Sequence, residues 1–284
     1  MSLPRHPADA ALPDFDRQAT DALLNCRRGD HVGVEAVEIP RYVHTLRLIG
    51  GLVPRPEKVC DIATFGSIDP AVEQLFGIKA ITTTGFPDGK EEREIVFQDR
   101  TGTVAHRFVH DRFDIEAAFP YADDTFDLVL FTEVLEHITR DPMHTLAEIN
   151  RITRPGGWLI LSTPNCVSQR SVLNALRGTH PYLWSQYSRQ GHRDRHNREY
   201  TPGEVEKLLK SGGYEILDLH CRDVFNTAVG WHRRAVKRLL TVMLVAFRRT
   251  IRGRAEAGWS GDLIFAVARK ASPVTERFPG FLYY

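Results

Sequence analysis

Apolar positions along this chain fall into two rhythms. Short, nearly unbroken apolar or β-branched runs occur at Lys58–Ala63 (KVCDIA), Ala80–Thr84 (AITTT), Phe126–Phe131 (FDLVLF) and Trp158–Ser162 (WLILS). Runs of this length predict strands, and near-continuous apolar character predicts a parallel sheet covered on both faces. Between them, helices are predicted over Tyr42–Leu52, Pro70–Phe76 and Asp141–Arg151. Pro54 and Pro56 end the first, Pro70 sits in the favoured first turn of the second, and Arg154-Pro-Gly-Gly157 stops the third. Ile95–Gln98 and Val104–Val109 flank Asp99-Arg-Thr-Gly102, a hairpin turn. Thr201 and Glu204 have capping-box spacing and open a further helix, closed by Gly212-Gly213. Tyr214–Leu219 and Leu263–Ala268 predict two late strands.

Strand and helix alternating through residues 58–162 predict an α/β doubly wound sheet with helices on both faces. Ligands of such sheets sit past the carboxyl ends of the strands, at the switch point. The site is therefore expected in the loops after Ala63, Thr84, Phe131 and Ser162. Composition adds exclusions. With 42% hydrophobic and 26% charged residues, a chain of 284 can bury a core without staples. A net charge of +1 gives no bulk field for nucleic acid. Cys26, Cys60, Cys166 and Cys221 form no metal or disulfide pattern and suit a reducing, cytoplasmic setting. Residues 1–16 hold no apolar stretch of signal-peptide length, and no run reaches the ~20 apolar residues of a membrane span.

Two stretches carry a family resemblance: FDIEAAFPYADDTFDLVLFTEVLEHI (Phe113–Ile138) and LAEINRITRPGGWLILSTPN (Leu146–Asn165). They resemble the middle of class I S-adenosylmethionine-dependent methyltransferases, in the branch acting on small molecules, quinone precursors and glycans. RHNREYTPGEVEKLLKSGGY (Arg195–Tyr214) and GDLIFAVARK (Gly261–Lys270) extend the likeness. The resemblance implies a mostly parallel, seven-stranded Rossmann-like sheet with an antiparallel last strand, and S-adenosylmethionine as cofactor. It places cofactor contacts at Asp61, Ala63, Phe65 and Gly66 in the first loop and at Thr84 after the second strand. Asp114 or Ile115 falls at the adenine, and Thr132 and Glu133 follow the fourth strand. The chain departs from the pattern twice. Ala63 and Phe65 stand where glycines are common, and Thr82–Phe86 offers no ribose-binding carboxylate before Asp88. These departures keep a second reading open, a non-catalytic binding or regulatory protein with a decayed cofactor site.

Methyl transfer from a sulfonium needs alignment and exclusion of water, and a base where the acceptor is a hydroxyl. Offsets of three and four place Glu136 and His137 with Glu133 on one face of an expected helix. That set could hold a divalent metal, as in the related ubiquinone-biosynthesis O-methyltransferases, but closure of a metal-free cofactor pocket is preferred. The family domain is expected over 41–284, after an N-terminal extension at 1–40, with an acceptor lid inserted at about 166–200. Within the lid, His180–Tyr200 carries three histidines, four arginines and four large aromatics. His196 is the candidate base and His137 a second catalytic candidate. Asn165, His192, Asn197 and Tyr200 are candidate acceptor contacts. The expectation is O-methylation of a saccharide or another hydroxylated metabolite. Residues 224–255 contain no acid and eight Arg or Lys, with an apolar stripe of Val236, Leu240, Met243, Phe247 and Ile251. A basic amphipathic helix over 231–254 can lie on an anionic membrane or cover the site. The oligomeric state is left open.

Overall fold

The computed structural model describes residues 13–28, 34–64, 66–87, 93–182, 195–225, 239, 242–243, 246–247 and 259–284. Helix α1 (Pro13–Asn25), a two-residue strand β1 (Arg27–Arg28) and α2 (Ile39–Leu52) precede the alternating region. Then come β2 (Lys58–Asp61), α3 (Asp69–Phe76), β3 (Ala80–Gly85), β4 (Glu94–Gln98), β5 (Val104–Arg112) and β6 (Phe126–Thr132). The chain continues through α4 (Pro142–Ile152), β7 (Thr153–Pro164), α5 (Gln169–Leu176), α6 (Pro202–Ser211), β8 (Tyr214–Arg222) and β9 (Leu263–Lys270).

Among the described residues, one sheet has nine strands in the order β1-β4-β5-β3-β2-β6-β7-β9-β8. The pairs β5–β3, β3–β2, β2–β6 and β6–β7 are parallel, and β9 runs antiparallel to both neighbours. The expected seven-stranded arrangement runs from β5 to β8. Two strands are added at its edge: β4, the first arm of the hairpin turned by residues 99–102, and β1, paired to it. The order reverses between β2 and β6, which fixes the switch point there.

The two faces of the sheet sort the strand residues by parity, as a period of two requires. Val59, Leu128, Leu130, Ile160, Phe265 and Val267 join one core with Leu23 of α1, Leu46 and Ile49 of α2 and Val72 of α3. Cys60, Val129, Phe131, Leu159, Leu161, Ile264 and Ala266 join the other with Met143 and Ile149 of α4 and Leu208 of α6. Helix α6 opens with the predicted capping box: Glu204 N–H bonds the Thr201 hydroxyl, and Thr201 N–H bonds the Glu204 carboxylate. The described part of 1–40 packs on the sheet through α1 and supplies residues to the site below.

Candidate active site

A cavity of about 530 Å³ opens at the carboxyl ends of β2 and β6. Asp61, Ala63, Thr64 and Ser67 form its floor, and Thr132, Glu133, Glu136 and His137 one wall. Glu38, Arg41 and Tyr42 of α2 and its approach cover it, and His196 and Phe225 close another side. A second core-side helix thus contributes residues that the sequence reading had left outside the site. The lining holds five carboxyl groups (Glu35, Glu38, Asp61, Glu133, Glu136) and two guanidiniums (Arg28, Arg41).

Asp61 ends β2 and is 1% exposed. Among the described residues neither of its oxygens accepts a hydrogen bond of ordinary geometry, although Thr64 lies close enough to favour its charge. Burial pushes its pKa up to about 7, against the opposing influence of Thr64 and the Arg41 guanidinium. Ala63 follows with φ of 52°, in the left-handed region where glycine is favoured. Its N–H donates to the Thr84 hydroxyl at 2.8 Å, and Thr64 N–H donates to the Thr84 carbonyl at 2.8 Å. Thr84 therefore braces the first loop from the neighbouring strand. Phe65 lies outside the described residues.

The end of β3 explains its missing carboxylate. A side chain at Gly85 would meet the His110 ring, whose Nε2 lies 2.5 Å from the place a Cβ would occupy. His110 is buried on β5 and its Nδ1 lies 2.8 Å from the Thr83 hydroxyl, which donates to the Val109 carbonyl. Asp114 is turned outward: it bonds Arg140 at 2.5 Å and accepts from Glu116 N–H. Ile115 is buried and offers its carbonyl to Thr145. Neither Asp114 nor Ile115 lines this cavity, and Gly66 and Thr84 support its floor from behind.

The expected helix through Glu133 is not there. Strand β6 runs to Thr132, Glu133 takes φ of 57°, and residues 135–137 form a single 3₁₀ turn. Such a left-handed, non-glycine residue stores strain that the surrounding structure must hold. Glu133 accepts from Ser162 at 2.7 Å, and Glu136 from Thr163 at 2.8 Å. Burial raises both carboxyl pKa values, most strongly that of Glu136, which also has Glu133 beside it. The change of backbone regroups the metal-binding candidates. Glu136, His137 and His196 present ligand atoms within 4.8 Å of one another, with Glu133 outside the set.

His196 comes from the lid but is buried against this wall. Its Nδ1 lies 3.1 Å from Glu199 Oε1, and its Nε2 4.0 Å from Glu136 Oε1. The His137 ring meets it edge-on at 4.9 Å. A carboxylate on Nδ1 makes that atom the donor and Nε2 the basic nitrogen. The other acceptor candidates are structural. Asn165 is fully buried, donates to the Trp259 and Gly261 carbonyls and accepts from Val167 N–H. Asn197 donates to the His137 carbonyl at 2.8 Å and so ties the lid to the 3₁₀ turn. Tyr200 is 2% exposed in the core around α4 and α6. None of the three lines the cavity. His192 lies outside the described residues. Sequence reading missed Arg41, His110 and Glu199, which no linear motif marks.

A family model described as a methyltransferase domain matches residues 41–219. A probable S-adenosylmethionine-dependent methyltransferase of Mycolicibacterium smegmatis is 32% identical over 123 residues, 41% of either chain. A ubiquinone biosynthesis O-methyltransferase of Thiobacillus denitrificans is 32% identical over 192 residues, 63% of this chain and 71% of that one. The chain thus spans about two fifths of the first relative's length and more of the second. Among solved structures, the Haloferax volcanii putative methyltransferase complexed with its activator Trm112 covers 93% of this chain, at 16% identity and a TM-score of 0.53. A methyltransferase from Archaeoglobus fulgidus covers 83%, at 14% identity and a TM-score of 0.50. These two likenesses agree with the doubly wound fold, and the family model spans more than half of the sequence: the chain belongs to the methyltransferase domain family.

Proposed function

We propose that this protein transfers a methyl group from S-adenosylmethionine to the hydroxyl of a saccharide or another small hydroxylated metabolite. The observation that carries the reading is Asp61, a buried carboxyl group left without an ordinary hydrogen bond in the hollow at the switch point. A buried charge requires a partner, and a cationic ligand supplies one. The hollow is within the ~300–1,000 Å³ typical of small-molecule sites. The residues present therefore fit this cofactor. Asp61 and Glu133 would hold its positive groups, Arg41 its carboxylate, and Ala63 and Thr64 its approach to the backbone. The cofactor supplies a methyl group activated by a positive sulfur.

The chain's own residues supply position, dryness and a base. Glu199 orients His196 through Nδ1, so Nε2 accepts the proton of the acceptor hydroxyl inside the cavity. His137 and Phe225 wall the acceptor side, and α2 screens the hollow from solvent. The same wall supports a second reading, in which Glu136, His137 and His196 hold a divalent cation that activates the hydroxyl. Grouping of their ligand atoms favours it, and so does the cost of two adjacent buried carboxylates. Calorimetry with S-adenosylmethionine tests the reading first: absence of binding at millimolar cofactor overturns it in favour of a decayed site. Methyl transfer to phenolic and saccharide hydroxyls then tests the base. His196→Gln should lower kcat by about 10²–10⁴-fold while leaving S-adenosylmethionine affinity unchanged. Loss of wild-type turnover on chelation, restored by a divalent metal, would select the cation reading instead.

A further inference from the structure

Phe225 lies in the cavity wall, and the Trp259 carbonyl accepts from Asn165. Between them, Leu239, Val242, Met243, Ala246 and Phe247 are helical. Their spacing of three and four puts them on one face. That face is turned to solvent: the four large residues Leu239, Val242, Met243 and Phe247 are 59–65% exposed. A run of exposed large side chains on one helix face marks an interaction surface rather than ordinary surface apolarity.

Charge selects the occupant. Arg233, Arg234, Lys237 and Arg238 precede the apolar segment, and Arg248, Arg249, Arg252 and Arg254 follow it. No acid occurs from Val224 to Ala255, although Lys and Arg number 37 and Asp and Glu 36 in the whole chain. The balance of the molecule is thus broken at one place. A second copy of this helix would bring like charges together at both ends of the contact. An anionic bilayer meets both features at once: headgroups for the two cationic clusters, and acyl chains for the apolar face between them. No helix among the described residues is long and apolar enough to cross a membrane, so the contact is interfacial.

We infer that residues 233–254 dock this protein on an anionic lipid surface, with Leu239, Val242, Met243 and Phe247 entering the interface. The inference is independent of the methyl acceptor and of turnover.

Vesicle co-sedimentation of the full chain tests it, with phosphatidylcholine alone and with phosphatidylcholine mixed with phosphatidylglycerol. The expected result is binding to the mixed vesicles only, weakened by salt. The double variant M243E/F247E should bind them at least about tenfold more weakly, since two apolar anchors are lost. Unchanged far-UV circular dichroism of the variant shows that the fold is retained. Three results overturn the inference: no binding of the wild type to mixed vesicles, equal binding to both vesicle types, or undiminished binding of the folded variant. Self-association of the wild type that the variant abolishes, without lipid binding, would make the face a contact between copies and also overturn it.

Discussion

Asp61 concentrates the electrostatics of the site. Its carboxyl is held near neutrality because burial disfavours the charged form more than Arg41 and Thr64 favour it. A raised folded-state pKa means stability is highest while the group is protonated and falls as pH rises toward about 7. A cationic ligand reverses the preference by pairing with the ionised form. Affinity for S-adenosylmethionine should therefore strengthen as pH rises through about 7. Titration calorimetry across that range should show the slope in the wild type and a flat, weaker profile in Asp61→Asn. An equal slope in the variant would assign the dependence to another group. The departures from the family loop also find their reasons at this scale. Ala63 adopts the glycine conformation despite its Cβ, held by Thr84, and Gly85, at the end of β3, leaves room for the His110 ring.

The elements carry the site in two ways. Strands β2 and β6 deliver Asp61 and Thr132 by register, since Asp61 pairs with Leu130 two residues before the end of β6. The lid reaches the same place through hydrogen bonds: Asn197 N–H donates to the Glu136 carbonyl and its amide to that of His137. Anchoring the far end of that lid falls to α6 and its cap. Thr201→Ala removes the hydroxyl that accepts from Glu204 N–H, leaving the Thr201 N–H bond to the Glu204 carboxylate, and should cost about 0.5–2 kcal/mol in denaturant unfolding. Because His196 lies five residues before that cap, the variant should also lose turnover before it loses cofactor affinity. A stability loss without that asymmetry would mean that the lid is held elsewhere.

Across the whole molecule, the C-terminal tail is pinned to α4. Asp141, the N-cap of α4, bonds Arg277 at 2.6 Å and also the Tyr283 hydroxyl. Its pKa is held down at about 2: burial opposes this, but Arg277 and Tyr283 outweigh it. A depressed carboxyl contributes stability above its unfolded value, and that contribution disappears as pH falls through about 2. Arg277→Met should lower Tm at neutral pH, and the gap to wild type should close progressively on acidification. A gap that does not shrink would place the effect in packing and not in the ion pair.

Much of this architecture was legible in linear order. Strand positions, the hairpin turn and the α6 cap follow from patterns spanning a few residues, where local sterics and burial period decide conformation. Asp61, His137 and His196, candidates in the sequence, all line the cavity. What the sequence could not set was anything decided by approach between distant segments. Glu133 lies in a left-handed turn and not a helix because β6 extends to Thr132 and Ser162 holds its carboxylate. Asn165 is tied to the segment around Trp259 and Gly261, Asn197 to the turn at Glu136 and His137, and Tyr200 lies in the core with α6, so all three stand outside the cavity lining. Arg41 and Glu199 became visible only when α2 folded across the strand ends and the lid folded beneath it. Period and turn chemistry are written locally in a chain, but burial of a polar group, and so its charge and its task, depends on what the rest of the fold brings against it.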